Sequence, residues 1–188
     1  MVVSDCIDDT DTTRLATVKL PAAGWSEKSG TVTSSERMIS RQHALFSPAG
    51  DSRHDWRIIT EVAKRMGFAE AFAFNDVAEV YREHAQLSAF ENTADGKLRD
   101  FDLSAHRDIT VEQYNQLQPF QWPINNEFPQ GRKRFFADGD FYSDNNKANF
   151  IAIKPRPPQN PPSNDYPFRL NTGRIRDQWH TMTRTALA

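Results

Sequence analysis

Residues 155–162, PRPPQNPP, place the tightest constraint on how this chain can fold. Proline fixes φ and carries no N–H, so such a run enters neither a helix nor an interior strand. It is expected as an extended linker, spanning 155–165. It separates a long first part, residues 1–154, from an apolar run with a polar continuation, residues 166–188. A chain of 188 residues is long enough for one well-buried core.

Within the first part the pattern is mixed. Met1 to Ser4 and Ala16 to Leu20 are short β-branched or apolar runs, the second expected to stop at Pro21. Thr31, Val32 and Thr33 alternate as in a half-buried ribbon. A helix is expected with Asp55 as its cap, Trp56, Ile59, Val62, Ala63 and Met66 on one core-facing side, and Gly67 as its stop. A second is expected over Asn75 to Gln86, with His84 at the boundary of its packed face. Thr110 and Gln113 have capping-box spacing for a third, Val111 to Leu117, ended by Pro119. Phe120 to Pro129 is expected to be irregular, with Trp122 as a packing anchor. Arg134 to Tyr142 and Asn149 to Ile153 read as short strands joined by turns, and Tyr166 to Leu170 as a strand after the linker. The class is α/β.

Composition removes several functions. A net charge of −2 offers no electrostatic footprint for nucleic acid. The single cysteine, Cys6, excludes a disulfide framework and any cysteine-rich metal or iron–sulfur site within the chain, and it is expected to be a buried small hydrophobe. No apolar stretch approaches the roughly 20 residues that span a bilayer, and no signal segment opens the sequence. A soluble chain without a membrane segment is expected. Both ends look interrupted, so a piece of a longer polypeptide is expected too.

The chemistry concentrates in Leu170 to Thr185, LNTGRIRDQWHTMTRT. Gly173 lets backbone N–H groups approach an anion, Arg174 and Arg176 can clamp phosphate bidentately, and threonine hydroxyls can take up remaining oxygens. A plain polar loop is the alternative. Earlier in the chain, Asp5 either caps the next turn or accepts from ribose hydroxyls or a guanine N1–H and N2–H₂ edge. Lys28, beside Gly30, can reach a phosphate as a point charge. Asp55 is either a helix cap or a carboxylate aimed at a ligand.

These residues occur in a recognisable order. VVSD at 2–5, LPAAGWSEKSGTVTSSER at 20–37, RHDW at 53–56 with RMGF at 65–68, FFADGDF at 135–141 and the Leu170 to Thr185 stretch together resemble the catalytic subunit of bacterial nitrate reductases, closest to the assimilatory, cytoplasmic branch. That subunit is a molybdopterin bis-guanine-dinucleotide oxidoreductase. The resemblance implies that 1–154 is the C-terminal part of the α/β cofactor domain and 166–188 the first strand and loop of a β-barrel-like dinucleotide-binding domain. It implies cofactor contacts at Ser4, Asp5, Lys28 and Asp55, and along Thr172, Gly173, Arg174, Ile175, Arg176, Asp177, Gln178, Trp179, His180 and Thr181. Ser34 departs from the family's GTxTN pattern, since a hydroxyl keeps only part of an amide's hydrogen bonding.

The implied parent reduces nitrate to nitrite by oxygen-atom transfer at molybdenum and receives electrons from a donor protein or reductase subunit. Its [4Fe–4S] cluster and its metal ligand would lie outside this chain, which alone is expected to be inactive. A periplasmic nitrate reductase, a formate dehydrogenase and a cofactor-free structural paralogue are the rivals, together with a small binding domain complete at this length.

Overall fold

The computed structural model describes residues 1–92, 99–171 and 173. Two compact units emerge, Met1–Asp138 and Gly139–Ala188.

The first unit opens with strand β1, Val2–Asp5, a one-turn helix α1, Asp11–Arg14, and strand β2, Val18–Pro21. The strands pair in parallel, Val2 opposite Val18 and Asp5 opposite Pro21, so Pro21 belongs to the strand it was expected to stop. The chain reverses over so short a connection because Thr10 and Thr13 cap each other. Thr13 N donates to Thr10 Oγ1 at 3.1 Å and Thr10 N to Thr13 Oγ1 at 2.7 Å. The buried Thr13 hydroxyl then donates to Asp8 O at 2.6 Å, which removes the cost of an unpaired polar atom.

Beyond β2 an isolated parallel bridge joins Ala22 to Arg53, with Ala23 N donating to Arg53 O at 2.9 Å and Arg53 N to Pro21 O at 3.1 Å. Helix α2, Asp55–Arg65, begins two residues later. The bridge therefore fixes where that helix starts relative to the parallel pair. Between β2 and the bridge the chain makes a 3₁₀ turn, Trp25–Glu27, and an antiparallel ribbon of β3, Gly30–Thr33, and β4, Met38–Gln42. The alternation at Thr31 to Thr33 marked β3. Its partner β4 was not expected.

The core lies elsewhere, around α3, Val77–Ala89, and α4, Val111–Asn115. Ile39 of β4, Tyr81 and Ala85 of α3, Leu103, Ile109, Tyr114 of α4 and Phe120 form one buried cluster. Phe120–Gln121, expected to be irregular, pairs with Met38 and Ile39 as β5. Trp122 packs against the cluster as the anchor it was taken for, its ring 5.3 Å from that of Phe101. Complete burial of side chains such as Leu103 and Tyr114 contributes on the order of 2 kcal/mol each. The capping box of α4 is present, with Thr110 N donating to Gln113 Oε1 at 2.9 Å and Gln113 N to Thr110 Oγ1 at 3.2 Å.

Several expectations are corrected. Asp55 is the first residue of α2 rather than its cap, which is His54. The apolar side of α2 is core only in part: Ala63 is buried and Trp56 half-buried, while Ile59, Val62 and Met66 are exposed, and Thr60 is buried too. Gly67, at φ 97°, does follow the helix end as a stop. Helix α3 begins after Asp76, whose carboxylate caps Ala78 N at 2.8 Å, and runs three residues further than expected. His84 on it is exposed, with its ring against Phe101. Cys6 is exposed rather than buried.

The expected strands at Arg134 to Tyr142, Asn149 to Ile153 and Tyr166 to Leu170 are absent. Turns occupy much of the first segment; the other two run without sheet bonding, and Phe150, Phe168 and Leu170 are almost wholly exposed. Periodicity and β-propensity describe a pleated, half-buried surface, and without a partner strand they do not produce one. Among the described residues no helix is long and apolar enough to cross a membrane.

Candidate functional site

The carboxyl ends of β1 and β2 open into a crevice of about 510 Å³. Its lining includes Asp5, Cys6 and Ile7 after β1, Ala22 and Gly24 after β2, and Glu27, Ala49 and Ser52 from the loops that follow. A crevice outside the carboxyl ends of parallel strands is where open α/β sheets receive ligands. Three carboxylates, Asp5, Asp8 and Glu27, and one ammonium, Lys19, line it. Lys19 is committed to Asp8 at 2.9 Å. The crevice is therefore acidic, suited to N–H and O–H donors and unfavourable to phosphate.

Asp5 stands at this mouth. Its Oδ1 accepts from Ile7 N at 3.0 Å, which holds the carboxylate while leaving further lone pairs open. It caps the local turn, and it also lines the crevice. Ser4, one residue back in β1, is exposed and does not line the crevice.

Lys28 and Asp55 are brought together, Nζ to Oδ2 at 2.6 Å. The 3₁₀ turn at Trp25–Glu27 delivers Lys28, and the Ala22–Arg53 bridge delivers Asp55 at the first turn of α2, where a carboxylate also favours the helix dipole. The two side chains are partly exposed, so the pair is worth no more than about 1 kcal/mol. A competing anion can separate it at little cost. Lys28 lies outside the crevice lining, so its ammonium sits beyond the acidic pocket.

Two residues missed from sequence shape this surface. Glu27 accepts from Gly24 N at 2.8 Å and from Ala49 N at 3.1 Å, tying two loops together. Its three-residue spacing from Gly24 was the available signal. Arg37, at φ 68°, donates to Trp122 O, to Arg132 O at 3.0 Å and to Lys133 O at 3.2 Å, and stacks over Phe135 at 4.3 Å. No local pattern marks it.

Of the expected contact loop, Thr172 and Arg174, Ile175, Arg176, Asp177, Gln178, Trp179, His180 and Thr181 lie outside the described residues. Gly173 is exposed, with open space where a Cβ would stand. Among the described residues no group of three or more His, Cys, Asp and Glu is placed to hold a metal ion.

Residues 1–65, which build the parallel pair, the crevice and α2, match the family model described as Molybdopterin oxidoreductase. A nitrate reductase of Klebsiella oxytoca is 44% identical over 187 residues, which are 98% of this chain and 20% of that protein. The F420-dependent formate dehydrogenase subunit alpha of Methanocaldococcus jannaschii is 32% identical over 185 residues, 98% of this chain and 25% of that protein. The chain thus spans a fifth to a quarter of the length of these relatives. Acetylene hydratase from Pelobacter acetylenicus overlays with a TM-score of 0.43 and 22% identity, over 69% of this chain and 16% of that one. The first 65 residues hold the crevice and carry the family match, and near-complete alignment to the longer relatives extends the likeness: the chain is similar to molybdopterin oxidoreductases over its first 65 residues and to a nitrate reductase over nearly all its length.

Proposed function

We propose that this chain is part of an enzyme that reduces nitrate to nitrite, and that its first unit receives a guanosine end of a molybdopterin guanine dinucleotide. The observation carrying this is the crevice at the carboxyl ends of β1 and β2 with Asp5 on its wall. The donor set fits the group in a divided way. An acidic pocket matches the N–H edge of guanine and the ribose hydroxyls, while Lys28 outside it suits the first phosphate. The loop from Thr172 to Thr181, with Arg174, Arg176 and His180, would contact the remainder in a dinucleotide-binding domain that begins at 166 and is β-barrel-like. When bound, molybdenum supplies the two-electron oxygen-atom transfer, and this chain's residues bind and orient the group that carries it.

The bis form of the cofactor, a [4Fe–4S] cluster held by cysteines outside this chain, an electron-donor protein, and a cytoplasmic, assimilatory setting belong to the same proposal. Cys6 is the single cysteine of this sequence, too few to hold a [4Fe–4S] cluster by itself. A second reading, formate oxidation, is favoured by the likeness to a formate dehydrogenase subunit over nearly the whole chain. The same crevice would serve both.

Guanosine and inosine differ by the N2 amine, so they test the pocket. By titration calorimetry the chain should prefer guanosine, and Asp5→Ala should reduce that preference by about tenfold, the value of one lost charge-assisted contact. Equal binding of both nucleosides, before and after the substitution, would remove Asp5 from base recognition. Assay of the full-length polypeptide with nitrate and with formate separates the two activities.

A further inference from the structure

We infer that Glu27 is a positioning residue that builds the crevice wall and sets the place of Lys28; the inference rests on the nucleotide reading of that crevice. Glu27 joins two loops remote in sequence. One oxygen accepts from Gly24 N at 2.8 Å, and the other accepts from Ala49 N at 3.1 Å. All three residues line the crevice.

The same two loops meet again at Ser26, whose carbonyl accepts from Leu45 N at 2.8 Å and Phe46 N at 3.2 Å. Beyond Ala49 the turn closes through Ser52, which donates from N at 3.0 Å and from Oγ at 2.6 Å to Ala49 O. The path from 44 to 53 is thereby held along 22 to 28, and the Glu27 side chain is its central tie. Among the described residues no cation pairs with Glu27. Its charge is instead engaged by two backbone dipoles, which lets a carboxylate stand in a pocket meant for a nucleotide without an ammonium blocking it.

Lys28 follows directly in the chain, so the orientation of Glu27 fixes the backbone from which Lys28 reaches outward. Each carboxylate oxygen has one amide to satisfy. A glutamine offers one accepting oxygen and turns an NH₂ toward the other N–H, so it can keep only one of the two ties.

The test uses the 188-residue chain with GDP and guanosine as probes, below the melting temperature of every variant. The wild type should bind GDP more tightly at low salt than at high salt, because Lys28 meets phosphate. Lys28→Ala should abolish that salt sensitivity and leave guanosine binding unchanged. Glu27→Ala should weaken guanosine and GDP by about tenfold, equivalent to one good contact, flatten the salt dependence as Lys28→Ala does, and raise hydrogen exchange at the Gly24 and Ala49 amides. Glu27→Gln should fall between, with one amide still protected.

A folded Glu27→Ala protein with wild-type affinities and wild-type salt slope would overturn the positioning role even if its melting temperature fell. Should Glu27→Ala fail to fold, Glu27→Gln with unaltered binding would do the same. If Lys28→Ala alters GDP binding and neither Glu27 variant does, only this inference fails. If the wild type binds neither probe, the nucleotide reading of the crevice fails and takes this inference with it.

Discussion

At the scale of single residues, the buried Tyr81 and the half-buried His106 form a polar pair at the edge of the core. The Tyr81 hydroxyl and His106 Nδ1 are 2.8 Å apart, and the imidazole meets Phe120 edge-on at 4.9 Å. Burial pushes the His106 pKa below its ordinary 6.5 and the Tyr81 pKa above its ordinary 10.0. The unfolded chain takes up a proton on His106 near the ordinary value, while the folded chain resists it to lower pH. Between those two values the unfolded state binds more protons, so this residue makes stability decline as pH falls below about 6.5, with no effect above it. Urea midpoints at pH 8 and pH 5.5 should show a smaller acid loss in His106→Gln than in the wild type, and an equal loss would show that His106 protonates freely when folded. Arg37 is the other residue with long reach. Lysine keeps its charge but not the planar fork that serves three carbonyls while stacking on Phe135, so Arg37→Lys should destabilise the chain by about 1–3 kcal/mol in urea unfolding. A change under about 0.5 kcal/mol would reduce those contacts to surface decoration.

At the scale of elements, what sequence disclosed is local and what it hid is long-range. The Thr110–Gln113 box and the Gly67 stop are decided within one turn, and the structure has them. Asp5 and Lys28 were marked by residue type and neighbourhood. Asp55 was misplaced by one position, because whether a residue is cap or first turn depends on the backbone of His54, which no side-chain pattern reveals. Glu27 has one partner three residues away and the other 22 away, and Arg37 reaches carbonyls 85 to 96 residues distant. The long separations, 22 residues for Glu27 and 85 to 96 for Arg37, leave no periodic trace. Helix α2 shows the other limit: its spacing says which side seeks burial and not what buries it. Since Ile59 is 61% and Met66 68% exposed, Ile59→Lys and Met66→Lys should each change the stability of this chain by less than about 0.5 kcal/mol, against 2 kcal/mol or more for a core site. A larger loss would mean that the apolar side of α2 is covered in solution. Gly131 is the converse case. At φ 81° a Cβ would stand 2.4 Å from Gln121 O, so Gly131→Ala should strip the following loop from β5 and lower the melting temperature by several degrees.

At the scale of the whole molecule, the two units differ in how their backbone is held. In Met1–Asp138 the strands pair, the helices cap, and one cluster of buried residues ties α3 and α4 to β4 and β5. From Asn149 to Asn171 the described chain has apolar side chains at strand spacing, Tyr166, Phe168 and Leu170 among them, without a ladder to receive them. Proteases cut where backbone can enter the active cleft without prior unfolding, so the difference is measurable. Chymotrypsin should cleave after Phe150, 98% exposed, and after Phe168, 91% exposed, well before it cleaves after Tyr81 or Tyr114, which are 5% and 1% exposed. Mass spectrometry of early products would show the order. Cleavage after Tyr81 as fast as after Phe150 would mean that the first unit does not hold its core in this chain. Protection of Phe150 and Phe168 would mean that these strand-like runs find a partner in solution. Adding GDP discriminates further: a nucleotide held by the first unit should slow cleavage within 1–65 and leave the cuts after Phe150 and Phe168 unchanged, because a ligand raises the cost of opening only the parts that bind it.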